Sequence, residues 1–231
     1  MNQFYIHFLN ISLLPLRLFR LFKLLLCCYR NFNSDDKPLL ENDYNKEENP
    51  NSFISWNIQE LFLYTNTNKV NNIINRLKTF VADIICLQEV FEDKTRKIII
   101  EQLKENYPFY LSGNNKKKYI VGENSGLLIL SKFPIEFVNE LQLQNLCLPD
   151  SMAFKTIMYF KVGNLNFATS HLQSIYEDIS KKQLYNIIDK SPFKKFILIG
   201  DLNNENVFDL LNIKSNNSCK TCENSILDYI I

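Results

Sequence analysis

The chain has 231 residues, 46% of them hydrophobic and 22% charged, which is enough apolar material for one sizeable core and excludes an intrinsically disordered chain. Lys and Arg number 26 against 25 Asp and Glu, so the formal charge of +1 supplies no global positive field to hold a polyanion by counterion release, which counts against nucleic acid as a partner. Six cysteines in a chain this long and apolar are not needed as a disulfide framework, and the simpler reading is a reducing compartment.

Charge is unevenly placed and divides the chain into three. Residues 1–30 carry Arg17, Arg20, Lys23 and Arg30 and no acid. Residues 31–50 carry Asp35, Asp36, Glu41, Asp43, Glu47 and Glu48 against Lys37 and Lys46. Residues 51–231 are nearly neutral. The expected organisation is a membrane-associating hydrophobic basic segment (1–30), an acidic linker (31–50) and a folded domain (51–231). Within the head, Pro15 interrupts the apolar run, and each cation at the centre of a spanning helix would cost about 2.5 to 3.5 kcal/mol, which argues against a clean span. Arg17, Arg20 and Lys23 instead share one sector of a helix whose remaining surface is Leu and Phe, as in a helix lying in the membrane interface. Cys27 and Cys28 stand where palmitoylation would add a second anchor. A helix packed on the body is the alternative; a cleaved signal peptide fits poorly, because the charges follow the apolar run Phe4–Leu16. The linker has the composition of an exposed tether, and its acidic dileucine pattern, Asp35 to Leu40, is short enough to arise by chance.

In the body, Ser52–Asn57 reads as a short strand, Asn68–Val81 as a helix through Val70, Ile73, Ile74, Leu77 and Phe80, and Asp83–Gln88 as a buried strand. Lys94–Tyr107 reads as a second helix. Between Leu111 and Phe167 the pattern turns to strands (KKYIV, SGLLILSK, EFVNELQL, FKTIMYFKV, NLNFATSH), with Gly113, Gly122 and Gly163 at turns. Ser174–Asp189 returns to helix, Lys195–Asp201 to strand, and SILDYII closes as a strand. The expected class is α/β (α+β), layered, with helices flanking a strand-rich middle.

Five polar residues, Asn57, Glu89, His171, Asp201 and Asn203, each stand at or just after the end of an expected strand, and strand ends gather at one rim of an open layered sheet. Two carboxylates, two carboxamides and a histidine at such a rim make a Mg²⁺ and phosphate site. Taken singly each has an ordinary explanation, such as a helix cap, a surface Asn or a structural His; five together at strand ends do not. Elsewhere, Cys219 and Cys222 form one CxxC without a partner pair, which is too little for structural zinc. Asn10-Ile-Ser and Asn216-Asn-Ser match glycosylation acceptors that an intracellular body would not present.

The motifs SWNIQ, DIICLQEV, NSGLLILSKFPI, FATSHLQS, ILIGDLN and ILDYI, in that order over residues 52–231, resemble the endonuclease/exonuclease/phosphatase superfamily, and the SHLQS and ENSGLLILSKFPI runs are most similar to neutral sphingomyelinases. The resemblance implies a four-layered α/β sandwich and Mg²⁺-dependent hydrolysis of phosphate esters, here of sphingomyelin to ceramide and phosphocholine; the basic apolar head and the reducing-compartment reading set the expected location at the cytoplasmic face of a membrane. It implies that Glu89 binds the metal with support from Asn57, that Asp201 orients or activates water, that Asn203 holds the phosphate and that His171 stabilises developing charge. It further assigns Asp228 to steering a catalytic histidine, and Asp150 with Lys155, spaced as DSMAFK, to substrate binding. Such proteins carry a terminal Ser-Asp-His segment that these 231 residues lack. The resemblance therefore implies a C-terminally incomplete domain without its general-base histidine, and slow turnover, with a nuclease or other phosphatase of the same superfamily, or an inactive membrane-binding remnant, as alternatives.

Overall fold

The computed structural model describes residues 49–60, 67–115 and 123–211 and the backbone of 228–230, all within one of the two units into which the chain divides, Leu39–Ile231. The basic head, nearly all of the linker, the KKYIV strand, Cys27, Cys28, Cys219 and Cys222 lie outside the described residues.

Strands β1 (Phe53–Glu60), β2 (Ile84–Val90), β3 (Phe109–Ser112) and β4 (Leu128–Ser131) form one sheet in the order β1-β2-β4-β3. Strands β5 (Ile135–Gln142), β6 (Thr156–Val162), β7 (Leu165–His171), β8 (Ile197–Asp201) and β9 (Asp228–Ile230) form a second sheet in sequence order. Helices α1 (Thr67–Lys78) and α2 (Asp93–Leu103) accompany the first sheet, and α3 (Glu177–Asp189) and the short α4 (Val207–Leu211) the second.

Alternation along the strands builds three separate cores. In β2, Ile85 and Leu87 pack under the helices, where α1 contributes Val70, Ile73, Ile74 and Leu77 at helical spacing and α2 contributes Ile99 and Leu103. Ile84 and Cys86 of the same strand face the opposite way, into a core between the sheets shared with Ile129 of β4, Met158 and Phe160 of β6, Phe167 of β7 and Ile199 of β8. The Phe160 and Phe167 rings stack there with centroids 5.2 Å apart. On the far side, Tyr159, Ala168 and Leu198 meet Leu184 and Ile187 of α3. Helix, sheet, sheet, helix is the four-layered sandwich expected from the sequence.

Several bounds depart from expectation. Strand β1 runs on past Asn57 to Glu60 and β2 through Glu89 to Val90, α2 ends at Leu103 instead of Tyr107, Phe109–Ser112 is a strand the sequence did not mark, and α3 starts at Glu177 instead of Ser174. The later helix start has a tertiary cause: the Ser174 N–H and hydroxyl are both committed to the distant Asp150 carboxylate, and Ile175 has φ of +68°, outside the helical region. Pairs β1/β2 and β7/β8 are each parallel, so the ends carrying Asn57, Glu89, His171 and Asp201 point the same way within each sheet. Packing of β1 and β2 against β7 and β8 then brings the four ends to one rim.

Candidate active site

Asn57 sits at the centre of the rim. Its Oδ1 accepts the Gln59 N–H (2.9 Å), where Gln59 at φ +51° ends the regular run of β1, and this bond turns the amide so that Nδ2 donates to Glu89 Oε1 (2.9 Å) and Asp201 Oδ2 (3.0 Å). One carboxamide thus ties a carboxylate of the first sheet to one of the second. Asp201 is buried at the end of β8, and its Oδ1 accepts the Asn203 N–H (3.2 Å), with Asn203 at φ +46°. Asn203 Nδ2 in turn donates to the Leu172 carbonyl (3.0 Å).

Glu89 is held in an unusual backbone state. A glutamate at φ +58° is strained, and the strain is supported from behind: the Val90 N–H donates to the Gly126 carbonyl (2.9 Å), and Gly126 itself has φ of +69°. A Cβ on residue 126 would stand 3.2 Å from the Glu89 Cα and 2.6 Å from the Phe91 ring, so only glycine lets the two chains approach. Asn124 braces the same turn, accepting from the Gly126 N–H (2.9 Å) and Arg96 Nη2 (3.2 Å) while donating to the Phe91 carbonyl (2.9 Å). The strained residue presents a buried Oε2 that has no hydrogen-bond partner, an orphaned acceptor of the kind a cation satisfies.

His171, buried at the end of β7, places Nε2 3.7 Å from Asp201 Oδ2 and 3.9 Å from Glu89 Oε1, near both carboxylates and bonded to neither. Burial, and behind it the charge of Lys155, hold its pKa well below the ordinary imidazole value, so the ring is neutral at physiological pH.

Asp150 and Lys155 lie beneath the rim. Lys155 is buried, pairs with Asp150 and donates to the Leu172 carbonyl (2.8 Å), the oxygen that Asn203 also uses. Its burial lowers its pKa, with Asp150, Asp201 and Glu89 opposing. Asp150 Oδ2 takes bonds from Gln173 Nε2 (2.7 Å), the Ser174 N–H (2.7 Å) and Ser174 Oγ (2.6 Å). The pair expected to bind substrate is therefore closed off by its own partners in this structure, and meets the site through the backbone of Leu172. Gln173, Ser174, Asn124 and Gly126 went unassigned in the sequence. Gln173 and Ser174 belong to the SHLQS run and Asn124 and Gly126 to the ENSGLLILSKFPI run, but their roles depend on partners more than 20 residues away. Asp228 pairs with Asp201 across β8 and β9; its side chain lies outside the described atoms.

The donor set fits a hard cation. Glu89 and Asp201 offer carboxylate oxygen, while Asn57 turns its Nδ2 toward both and keeps its Oδ1 on the Gln59 N–H, so in this arrangement it positions the carboxylates and does not itself face an ion; among the described residues no group of three or more His, Cys, Asp or Glu gathers as a metal cage. A site with one or two carboxylates and water completing the shell is the mode Mg²⁺ prefers. A hollow of about 440 Å³ lined by Trp56, Lys69, Ile73 and Arg76 lies on the α1 side of β1, away from this rim, and bears none of these groups.

Among curated proteins, sphingomyelinase C 2 of Leptospira interrogans is 31% identical over 93 residues, covering 35% of this chain and 15% of that protein. The chain spans between 5% and 15% of the curated relatives it matches. Among solved structures, sphingomyelinase C from Streptomyces griseocarneus superposes with a TM-score of 0.60 at 17% identity, covering 77% of this chain and 81% of that one. A beta toxin variant from Staphylococcus aureus with bound magnesium ions gives 0.62 at 18% identity over 78% and 82%. The endonuclease/exonuclease/phosphatase family matches residues 54–230, nearly the whole of the body, and the chain belongs to that family.

Proposed function

We propose that the rim hydrolyses a phosphodiester with Mg²⁺ and that its substrate is a choline phospholipid of the sphingomyelin type, cleaved at a membrane surface to phosphocholine and ceramide. The observation that carries the reading is the Asn57 amide joined to both Glu89 and Asp201, with Glu89 Oε2 buried and unpartnered beside them. The likeness to sphingomyelinases supports the lipid substrate, and the basic apolar head of residues 1–30 supports a membrane location.

Glu89 would hold the ion, with Asn57 supporting it by fixing the Glu89 carboxylate, and the ion when bound would supply positive charge to the phosphoryl oxygens. Asp201, its Oδ1 and Oδ2 held by Asn203 and Asn57, is positioned to accept a hydrogen bond from water and aim it at phosphorus. Neutral His171 can donate from Nε2 to an oxygen that gains charge in the transition state without first repelling the metal. Asn203 keeps its second amide hydrogen for the phosphate while the first fixes the side chain on Leu172.

Phosphocholine release from sphingomyelin in mixed micelles, with Mg²⁺ or with chelator, tests the reading, using Asp201→Ala as the blank. Mg²⁺-dependent release, lower by about 10²-fold or more in the blank, is expected. Cleavage of single-stranded or abasic DNA in preference to lipid would replace it with the nuclease reading.

A further inference from the structure

Four of the eight large apolar side chains that stand exposed among the described residues gather on two connections. Leu148 (67% exposed) and Met152 (36%) lie between β5 and β6; Ile175 (77%) and Tyr176 (48%) lie between β7 and α3. The connections are fastened together from below. Asp150, between Leu148 and Met152, takes three bonds from Gln173 and Ser174, and the Cys147 N–H donates to Gln173 Oε1 (2.7 Å). The same β7–α3 connection begins at His171, so these side chains border the catalytic rim.

Ile175 is doubly unfavourable where it stands. A β-branched residue at φ +68° is an outlier, and the Tyr176 N–H donating to the Ser174 carbonyl (2.7 Å) closes a three-residue turn of the strained, positive-φ kind. Glycine or asparagine would relieve the backbone and remove the exposed apolar surface together. Neither the core nor the chemistry at the rim uses this side chain, so the outlier points to function.

Charge identifies the occupant. Residues 143–149 and 172–176 contain no charged side chain, Asp150 is buried and bonded, and the next charges along the chain, Glu177 and Asp178, are exposed acids. Exposed apolar side chains on uncharged connections, with the acids Glu123, Glu177 and Asp178 beside them, suit a fluid apolar layer under choline headgroups. We infer that Leu148, Met152, Ile175 and Tyr176 form an insertion edge that enters the apolar layer of a zwitterionic phospholipid bilayer beside the catalytic rim. The inference deepens, and rests on, the lipid-phosphodiesterase reading, since it explains how the rim meets a substrate embedded in a bilayer.

Trp56 is the single tryptophan, half-buried against Phe80, so a second one reports on its own position. In the full chain, Leu148→Trp and Ile175→Trp should be quenched by phosphatidylcholine vesicles brominated in the acyl chains, and Tyr185→Trp, exposed on α3, should not. The double variant L148S/I175G should partition to neutral vesicles about tenfold more weakly or worse, with unchanged or raised melting temperature. Wild-type partitioning to these vesicles should change little with salt. Hydrolysis of the soluble diester bis(p-nitrophenyl) phosphate by the double variant should equal that of wild type. Absence of quenching at both positions overturns the edge and leaves soluble-diester hydrolysis to stand by itself. A dimer in wild type that the double variant dissolves also overturns it, assigning the surface to a second copy. Quenching at both positions with no diester hydrolysed by wild type upholds the edge and removes the enzymatic reading.

Discussion

A single carboxamide decides the geometry of the rim. Two carboxylates from different sheets repel unless a donor or a cation stands between them, and the Asn57 amide provides two donors aimed at Glu89 and Asp201. Glu89→Gln keeps the shape and removes the charge, so calorimetric titration should find Mg²⁺ affinity reduced about tenfold or more; equal affinities would remove Glu89 as the ligand. His171 gives a pH dependence of stability. Above 6.5 the imidazole is neutral in both folded and unfolded chains; below it the unfolded chain takes a proton that the buried ring refuses, so stability falls as pH drops. Urea unfolding at pH 7.5 and about 5.5 should show part of that fall abolished in His171→Gln. Glu60 behaves oppositely. Burial at the end of β1 pushes its pKa up to about 7, with the neighbouring Glu92 adding to the rise and Thr95, the Glu92 N–H and Arg96 opposing it. Its ionisation cost is absent below about pH 4.5 and complete above pH 7, so Glu60→Gln should stabilise the protein at pH 8 by about 1 to 3 kcal/mol and change little at low pH.

At the scale of elements, function rests on strand ends that break their own regularity. Strand β2 is buried on both faces through Leu87, which makes it rigid, and then turns Glu89 out through positive φ against Gly126. Gly126→Ala would push on the Phe91 ring and the Glu89 Cα and force a Cβ into the left-handed region. A loss of about 1 to 3 kcal/mol in urea unfolding is expected, and, if Glu89 holds the ion as proposed, weakened Mg²⁺ binding with it, because the Glu89 backbone is what gives way. The helices act further off. Leu77 is fully buried on the face of α1 that covers β2, and Leu77→Ala should cost about 2 to 5 kcal/mol while leaving Mg²⁺ affinity nearly unchanged in the folded fraction. Elements of strong periodicity were legible in the sequence: α1 was expected over Asn68–Val81 and spans Thr67–Lys78, because Val70, Ile73, Ile74 and Leu77 repeat at the helical period. The start of α3 was not, because Ser174 is drawn out of the helix by Asp150, 24 residues earlier, and no local pattern records such a bond.

For the whole molecule, two layers of sheet between two layers of helix let strand ends from both sheets meet, so neither sheet holds the rim alone. The approach to a bilayer would have two parts of different physics. The basic head of residues 1–30 would be drawn to anionic lipid at about 1 kcal/mol per cation, and deleting it should abolish salt-sensitive sedimentation with anionic liposomes; an unchanged pellet would move that contact to the body. The apolar edge at Leu148 and Ile175 would act by burial and be indifferent to salt.

Composition and periodicity were enough to place an α/β body after residue 50 and to set Asn57, Glu89, His171, Asp201 and Asn203 at or just beyond strand ends, because short apolar-rich segments bounded by polar residues mark the strands. The ordered motifs were enough for the family. What the tertiary structure decided was everything that depends on partners distant in the chain: the bridge from Asn57 to Asp201 across 144 positions, the enclosure of Asp150 and Lys155 beneath the rim, and the exposure of Ile175 in a strained turn. A sequence records which groups are available at short range; which of them meet, and which are left facing water, follows from how two sheets close on one core.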